Sequence, residues 1–588
     1  MSEQSRITRV VEVIASRPYF YLLGPALGRL VFYSNLDGVP GIWVLDPKTY
    51  ERVKLTREAI HSFAFTRAES REVVFTRDVS KGRELQKPYV AFVDKPEERV
   101  IADVPPARVL GISFYGSRVV YIGATAESVD LYMLDFSGGW EKLTTFTAVA
   151  FLTDFNGRYA VGHGILSGDP RAYELFIFDV ESGRLATYTP RRGSVNLNPV
   201  LRGEQVLFES DFEGRKRLYV YDIGSGELRP VAFTHRDYDG YRPVEHVRFG
   251  WLGDGRVWAI GKRDGRTSLF VDGRRVNTPR GVTTSFAEVD GRFFVTASSL
   301  TRPPQIFEVD PSTGAIRVVV RNALPRGLQR AFRRSYFVRY TSFDGRRIPA
   351  FVVESAGNSI PGPTVVYVHG GPWSEVMDSW DPFIASLVVA GYHVVAPNFR
   401  GSTGYGEAFR ALDIGDPGGG DLEDIVHAGK WAVQRGLASA LAVMGYSYGG
   451  FSTFLALGKH PEVWKAGVAG AGVVDWEEMY QLSDAYFRKF IDTLFAGRRD
   501  LWRERSPITY VDRVSAPLCI IHPANDTRTP LKPVLRYMQR LAEKGAVFEA
   551  HILPDTGHFV ARVQDRVAVI APALQFLRRY FPVTPGQQ

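Results

Sequence analysis

The sequence predicts two domains: an all-β propeller of seven blades, then a doubly wound, mostly parallel α/β sheet. Three observations carry that prediction. One is a repeat in the first half of the chain, the second an alternation of strand and helix patterns after about residue 325. The third is a serine set between glycines at 445–449. At 588 residues the chain exceeds one compact domain. Its 45% apolar and 23% charged residues are those of a soluble globular protein.

The chain opens with MSEQSRITRVVEVIASRP, where Arg9 and Glu12 interrupt any apolar stretch of signal-peptide length. Ile7, Val10, Val11 and Ile14 have helical spacing, so residues 1–20 read as a short amphipathic helix docked on the second domain. From 21 to 325 one unit recurs: a short apolar or aromatic run, an aspartate, a turn, another strand. Its aspartates are Asp46, Asp94, Asp135, Asp179, Asp222, Asp272 and Asp310, spaced 48, 41, 44, 43, 50 and 38 residues apart. A period near 44 with several short strands per unit is that of a four-stranded propeller blade. The aspartate is read as opening the turn between a blade's outer strands. A double β-sandwich is the structural alternative, but it leaves the spacing unexplained.

The polar, turn-rich stretch NALPRGLQR at 322–330 reads as a linker, and 326–588 as the second domain. There, strand patterns at 365–368, 393–396 and 441–444 alternate with helical ones near 380–390, 421–435 and 566–580. Such alternation builds a parallel sheet with its working loops at the carboxyl edge.

Composition narrows the function. A net charge of +8 spread over the chain, with no basic block or helix, argues against a nucleic-acid partner. No apolar run reaches the ~20 residues of a membrane span. The single cysteine, Cys519, excludes an internal disulfide and suits a reducing compartment. A cytoplasmic location is therefore expected.

Gly445-Tyr446-Ser447-Tyr448-Gly449 fits G-x-S-x-G, between a strand-like and a helix-like run. That is the setting of a nucleophile elbow in an α/β-hydrolase, where the order along the chain is Ser, Asp or Glu, then His. Of the two histidines after residue 526, His551 lies in an apolar strand pattern and His558 on a Gly-containing loop. A base must reach the serine from a loop, which favours His558. Asp526 follows the strand pattern 517–522 and is the expected acid. Asp555 is its rival, read instead as a turn former. Ser447 would attack, His558 carry the proton, and Asp526 hold the imidazole tautomer. The oxyanion donors would be the amide of Tyr448 and that of Gly371, in His369-Gly370-Gly371-Pro372 after a β-branched strand. His369 reads as a residue that shapes this loop rather than a catalytic one.

Four motifs in order resemble the prolyl oligopeptidase family of serine peptidases: HGGP at 369–372, NFRGSTGYG at 398–406, GYSYGG at 445–450 and PDTGH at 554–558. Segments 467–480 and 522–530 are most similar to the archaeal-type acylaminoacyl peptidases of that family. The resemblance implies a propeller over an α/β-hydrolase domain and the same triad and oxyanion donors. It also implies that Arg528 binds a substrate carbonyl; the plain alternative for Arg528 is a surface ion pair. It further implies an apolar specificity pocket walled by Val473, Trp476, Phe487, Phe490, Ile491 and Leu494, with Trp373 from the oxyanion loop. The helical spacing of 487, 490, 491 and 494 offers a core-facing stripe as the plain alternative. The implied activity is removal of N-acylated amino acids from short peptides through an acyl-enzyme, with esterase side activity. It calls for no metal or organic cofactor, and a homo-oligomer is left open. A broader oligopeptidase and a dipeptidyl peptidase are the neighbouring readings. The latter needs paired acidic residues in the propeller, where Glu97-Glu98 is the one such pair. A non-catalytic propeller scaffold is the alternative from another class.

Overall fold

The structure, a computed structural model, describes residues 3–60 and 63–583. Seven four-stranded antiparallel sheets follow one another at 20–54, 64–100, 108–146, 150–188, 196–230, 245–276 and 282–320. They are the seven blades of a propeller. Each blade draws its four strands from one continuous stretch, so no strand is exchanged to close the ring. Closure rests on packing of blade 1 (Phe20, Leu22, Phe32) against blade 7 (Val289, Phe294, Ile306), all buried. A buried side chain of this size contributes about 1.5–3 kcal/mol.

The repeated aspartates sit between the third and fourth strands of their blades. In five blades the carboxylate accepts hydrogen bonds from the turn that follows: Asp46, Asp135, Asp179, Asp222 and Asp310 each bond a backbone N–H two or three residues on. Two differ. Asp94 pairs with Arg71, and Asp272, at φ +50°, bonds Thr234. The connection in those blades is shorter, and Asp272 accepts the amide and hydroxyl of Thr234 rather than an amide of its own turn.

Ahead of the propeller, helix α1 (Glu3–Ala15) buries Val11 and Ile14. Its Thr8 Oγ1 accepts a hydrogen bond from Gln575 in the C-terminal helix. The second domain is an eight-stranded sheet. Its strands are β1 (Phe332–Thr341), β2 (Arg347–Ser355), β3 (Gly362–Val368), β4 (His393–Pro397), β5 (Ala438–Tyr446), β6 (Ala466–Gly470), β7 (Leu518–Pro523) and β8 (Phe548–Leu553). They lie in the order β1-β2-β4-β3-β5-β6-β7-β8. The first two pairings are antiparallel and the rest parallel. The central strands are near-continuous apolar runs because helices cover both faces. One face is covered by α1, α2 (Pro382–Val389) and the C-terminal helix Val563–Tyr580. The other is covered by α3 (Gly420–Gln434), α4 (Tyr448–Lys459) and Leu531–Glu543. Asp381 caps α2 by accepting from Phe383 and Ile384, with Pro382 at the first helical position. Among the described residues no helix is long and apolar enough to cross a membrane.

Candidate active site

The chain turns from β5 into α4 at Ser447, whose φ of 60° and ψ of −121° are costly for a residue with a side chain. The turn closes because its neighbours are glycines. A Cβ on Gly445 would lie 2.4 Å from the Gly449 carbonyl, and one on Gly449 would lie 2.0 Å from the Val368 carbonyl oxygen. This places Oγ at the carboxyl edge of the sheet, beside the N-terminus of α4.

Ser447 Oγ donates to His558 Nε2 at 2.9 Å, and His558 Nδ1 donates to Asp526 Oδ2 at 2.7 Å. The same carboxylate accepts from Arg528 N, Thr529 N and Thr529 Oγ1. Burial pushes the Asp526 pKa up, but the charge of His558 and these hydrogen bonds outweigh it and hold the acid at about 2. The carboxylate is thus ionised and fully engaged at neutral pH. The histidine loop is tied to the elbow by Tyr446, whose hydroxyl donates to the His558 carbonyl at 2.9 Å. The rival Asp555 is exposed and pairs with Lys81.

Gly371 and Tyr448 border the same pocket as Ser447. The Tyr448 N–H belongs to the first turn of α4 and has no helical partner. Beneath the loop, His369 stacks on Phe399 at 4.3 Å and donates from Nδ1 to the Gly370 carbonyl at 2.6 Å. Its Nε2 lies 2.9 Å from Ser402 Oγ. Burial holds His369 at about 4, so its ring is neutral at physiological pH. These contacts are those of a residue that shapes the loop.

The pocket beside Ser447 encloses about 320 Å³. Trp373, Val473, Trp476, Phe487, Phe490 and Arg528 all line it. Ile491 and Leu494 do not: both are fully buried in the core of the α/β domain. The helix Ala485–Leu494 carries one continuous apolar stripe, and its edge at 487 and 490 faces the pocket while 491 and 494 face inward. The propeller closes the pocket's far side with Val149, just ahead of blade 4, and Phe151, Ile165 and Tyr173 of that blade. Sequence reasoning missed these, and also Met479 and Tyr486. The propeller residues carry no motif; only the docking of the two domains brings them here.

Arg528 is held in an ion pair that crosses the domain interface. Its Nε and Nη2 donate to the two oxygens of buried Glu84, on a loop of blade 2, at 2.8 and 2.7 Å. Arg108 donates to the same carboxylate at 2.5 Å and to Asp484 at 2.7 Å. Burial raises the Glu84 pKa, but Arg528 and Arg108 together hold it at about 2.

A serine elbow on an α/β-hydrolase sheet, roofed by a seven-bladed propeller, defines the class: a propeller-capped serine hydrolase. Comparison with known proteins narrows it. Residues 379–584 match the model of the prolyl oligopeptidase family, and residues 31–307 that of the acylamino-acid-releasing enzyme-like N-terminal domain. The α/β domain thus matches the prolyl oligopeptidase family. The chain is 25% identical to dipeptidyl aminopeptidase BIII of Pseudoxanthomonas mexicana, over 93% of this chain and 84% of that protein. It is 30% identical to acylamino-acid-releasing enzyme 1 of Oryza sativa, over 38% of this chain but only 31% of the rice protein. The acylaminoacyl peptidase structure of Pyrococcus horikoshii shares the fold, with a TM-score of 0.71 at 18% identity and 98% of both chains covered.

Proposed function

We propose that the protein removes N-acylated amino acids from short peptides through an acyl-enzyme on Ser447, and hydrolyses simple esters as a side activity. The observation that carries this reading is the charge around the site. No residue lining the pocket, among those described, is acidic. Glu84, the carboxylate joined to the pocket wall through Arg528, is already neutralised by two guanidinium groups. A substrate's free α-amine needs an unpaired anion, whereas a blocked, neutral N-terminus does not.

In this mechanism Ser447 Oγ attacks the carbonyl as its proton passes to His558 Nε2. The oxyanion of the tetrahedral intermediate accepts hydrogen bonds from the Gly371 and Tyr448 amides, each worth about 3 kcal/mol. His558 returns the proton to the leaving amine, and Asp526 stabilises the imidazolium formed in between. Water, activated by His558, then releases the acyl group. An apolar, aromatic-walled pocket favours a hydrophobic side chain, such as Phe or Leu, on the acyl side of the cleaved bond. The propeller roof restricts entry to short peptides and keeps water from the charged intermediate.

A dipeptidyl peptidase is the second reading, favoured by the Pseudoxanthomonas relative that aligns over nearly the whole chain. Against it, the Glu97-Glu98 pair lies on the outermost strand of blade 2, where Glu98 is bound by Arg77. One assay separates them: turnover of an N-acetylated aminoacyl anilide, a free-amine dipeptidyl anilide and an internal-proline peptide. Faster cleavage of the acetylated substrate is expected, and equal or faster turnover of the free amine would sink the acyl-specific reading. Ser447→Ala should abolish all hydrolysis.

A further inference from the structure

Two carboxyl groups that this chemistry does not use lie directly behind the pocket. Asp413, at the end of the single helical turn Ala411–Asp413, is completely buried. Its Oδ1 accepts the indole N–H of Trp373 at 3.1 Å, and its Oδ2 has no hydrogen-bond partner among the described residues. The carboxyl is wedged against Gly401, where a Cβ would come within 2.5 Å of it. Asp421, the second residue of α3, is buried as deeply, and its Oδ2 accepts the phenolic O–H of Tyr448 at 2.5 Å. Arg410, whose charge reaches Asp413, lies 5.3 Å over the Trp373 ring and forms its salt bridge with Glu407.

The pattern has a simple reading. Tyr448 bears one oxyanion amide, and Trp373 stands two residues from Gly371, which bears the other. The side chains of Tyr448 and Trp373 each end on one of these two carboxyls. Burying a carboxyl with an oxygen unpaired costs stability. Burial holds Asp421 at about 6 and, with the nearby charge of Asp421, raises Asp413 as well. Fold stability therefore does not account for the pair, but geometry does. Oxyanion donors act only when fixed at about 2.7–3.1 Å from the developing charge. We propose that Asp413 and Asp421 are positioning residues for the oxyanion amides, each holding one amide in place through the aromatic side chain that it anchors. The proposal rests on the reading of Gly371 and Tyr448 as the donors.

The test is a pair of double-mutant cycles, read as kcat and KM on an N-acetylated aminoacyl anilide: Asp421→Ala with Tyr448→Phe, and Asp413→Ala with Trp373→Phe. Each single variant should lose about tenfold in kcat, with KM within about twofold except for Trp373→Phe, which also reshapes the pocket wall and is read on kcat alone. Each double variant should be no slower than its slower parent, because both changes cut one bond. Asp421→Asn keeps an acceptor and should stay within about threefold of the wild type. Tyr448→Phe removes the same bond without emptying space, so misfolding of an alanine variant leaves the cycle readable through Phe and Asn. Multiplicative losses in the doubles, or unchanged kcat in folded single variants, would overturn the proposal. Labelling of Ser447 by a fluorophosphonate is measured alongside: its failure in the wild type would overturn the underlying acyl-enzyme reading instead.

Discussion

Asp526 and Asp421 are both buried carboxylates near Ser447, yet their surroundings drive them apart. For Asp526, burial is outweighed by His558 and the hydrogen bonds of Thr529, and the pKa settles at about 2. Its contribution to stability is therefore present above the unfolded pKa and is lost as pH falls toward 2. For Asp421, burial wins over the bond from Tyr448 and lifts the pKa from 3.8 to about 6. The sign reverses. The folded state binds the proton more tightly, so stability is fully present below the unfolded pKa and declines as pH rises through 6. A shift of this size corresponds to about 3 kcal/mol of destabilisation at alkaline pH. Asp421→Asn, which removes the buried charge, should raise the melting temperature at pH 8 and give no such gain at pH 4. Thermal unfolding at the two pH values checks this. An equal effect of the substitution at both values would show that charge burial is not the cause.

Among the elements, the loop 79–85 of blade 2 bears most directly on the site. Its Lys81 and Arg83 carbonyls accept from Asn525 and Thr527, which flank Asp526. Gly82 sits at φ +90° with its backbone pressed on Gly557, the residue before His558. A Cβ on Gly82 would lie 2.4 Å from Gly557 N, with no flexible side chain to give way. Gly82→Ala should therefore displace the histidine loop and lower kcat/KM at least about tenfold, or roughly 1.4 kcal/mol. Gly183→Ala is the control: it has a similar positive φ but open space around it, so it carries the backbone strain without touching the site. Steady-state kinetics of the two variants decide the matter, and equal activity would refute the buttressing role. The elements themselves were largely readable in the sequence, because a blade turn, an elbow or a capped helix is written in adjacent residues. Ser447, His558 and Asp526 follow from such local signals. The face of the helix Ala485–Leu494 does not, since four apolar residues at helical spacing cannot say which of them meets a pocket. Nor could Glu84 be found, because its partner Arg528 is 444 residues away and only docking joins them.

Over the whole molecule, the two domains meet through buried charge as well as apolar contact. Lys262 of blade 6 bonds Glu375, four residues beyond Gly371 on the loop that follows β3, and lies 3.2 Å from Glu245. Lys216 of blade 5 reaches Glu407 at 2.7 Å, Glu209 at 3.4 Å and Glu245 at 3.7 Å. All six side chains are largely or wholly withdrawn from water, so each depends on its partners for solvation. The propeller thus holds the 369–376 loop through one lysine. Removing one member of such a pair strands the other, at a cost of about 3–5 kcal/mol, whereas replacing both by apolar residues of similar volume is often neutral. Lys262→Met should therefore leave Glu375 uncompensated, loosen the loop and lower kcat on a small ester that passes the roof freely. Lys262→Met/Glu375→Met should recover most of that loss, since Glu245 retains Lys216. Hydrogen exchange across residues 369–376 should rise in the single variant and return toward the wild type in the double. If the double is as slow as the product of its two parents, the domains are coupled to the site by some other contact. If recovery is seen, docking of the propeller is part of how the oxyanion loop is set, and opening the interface would switch catalysis off.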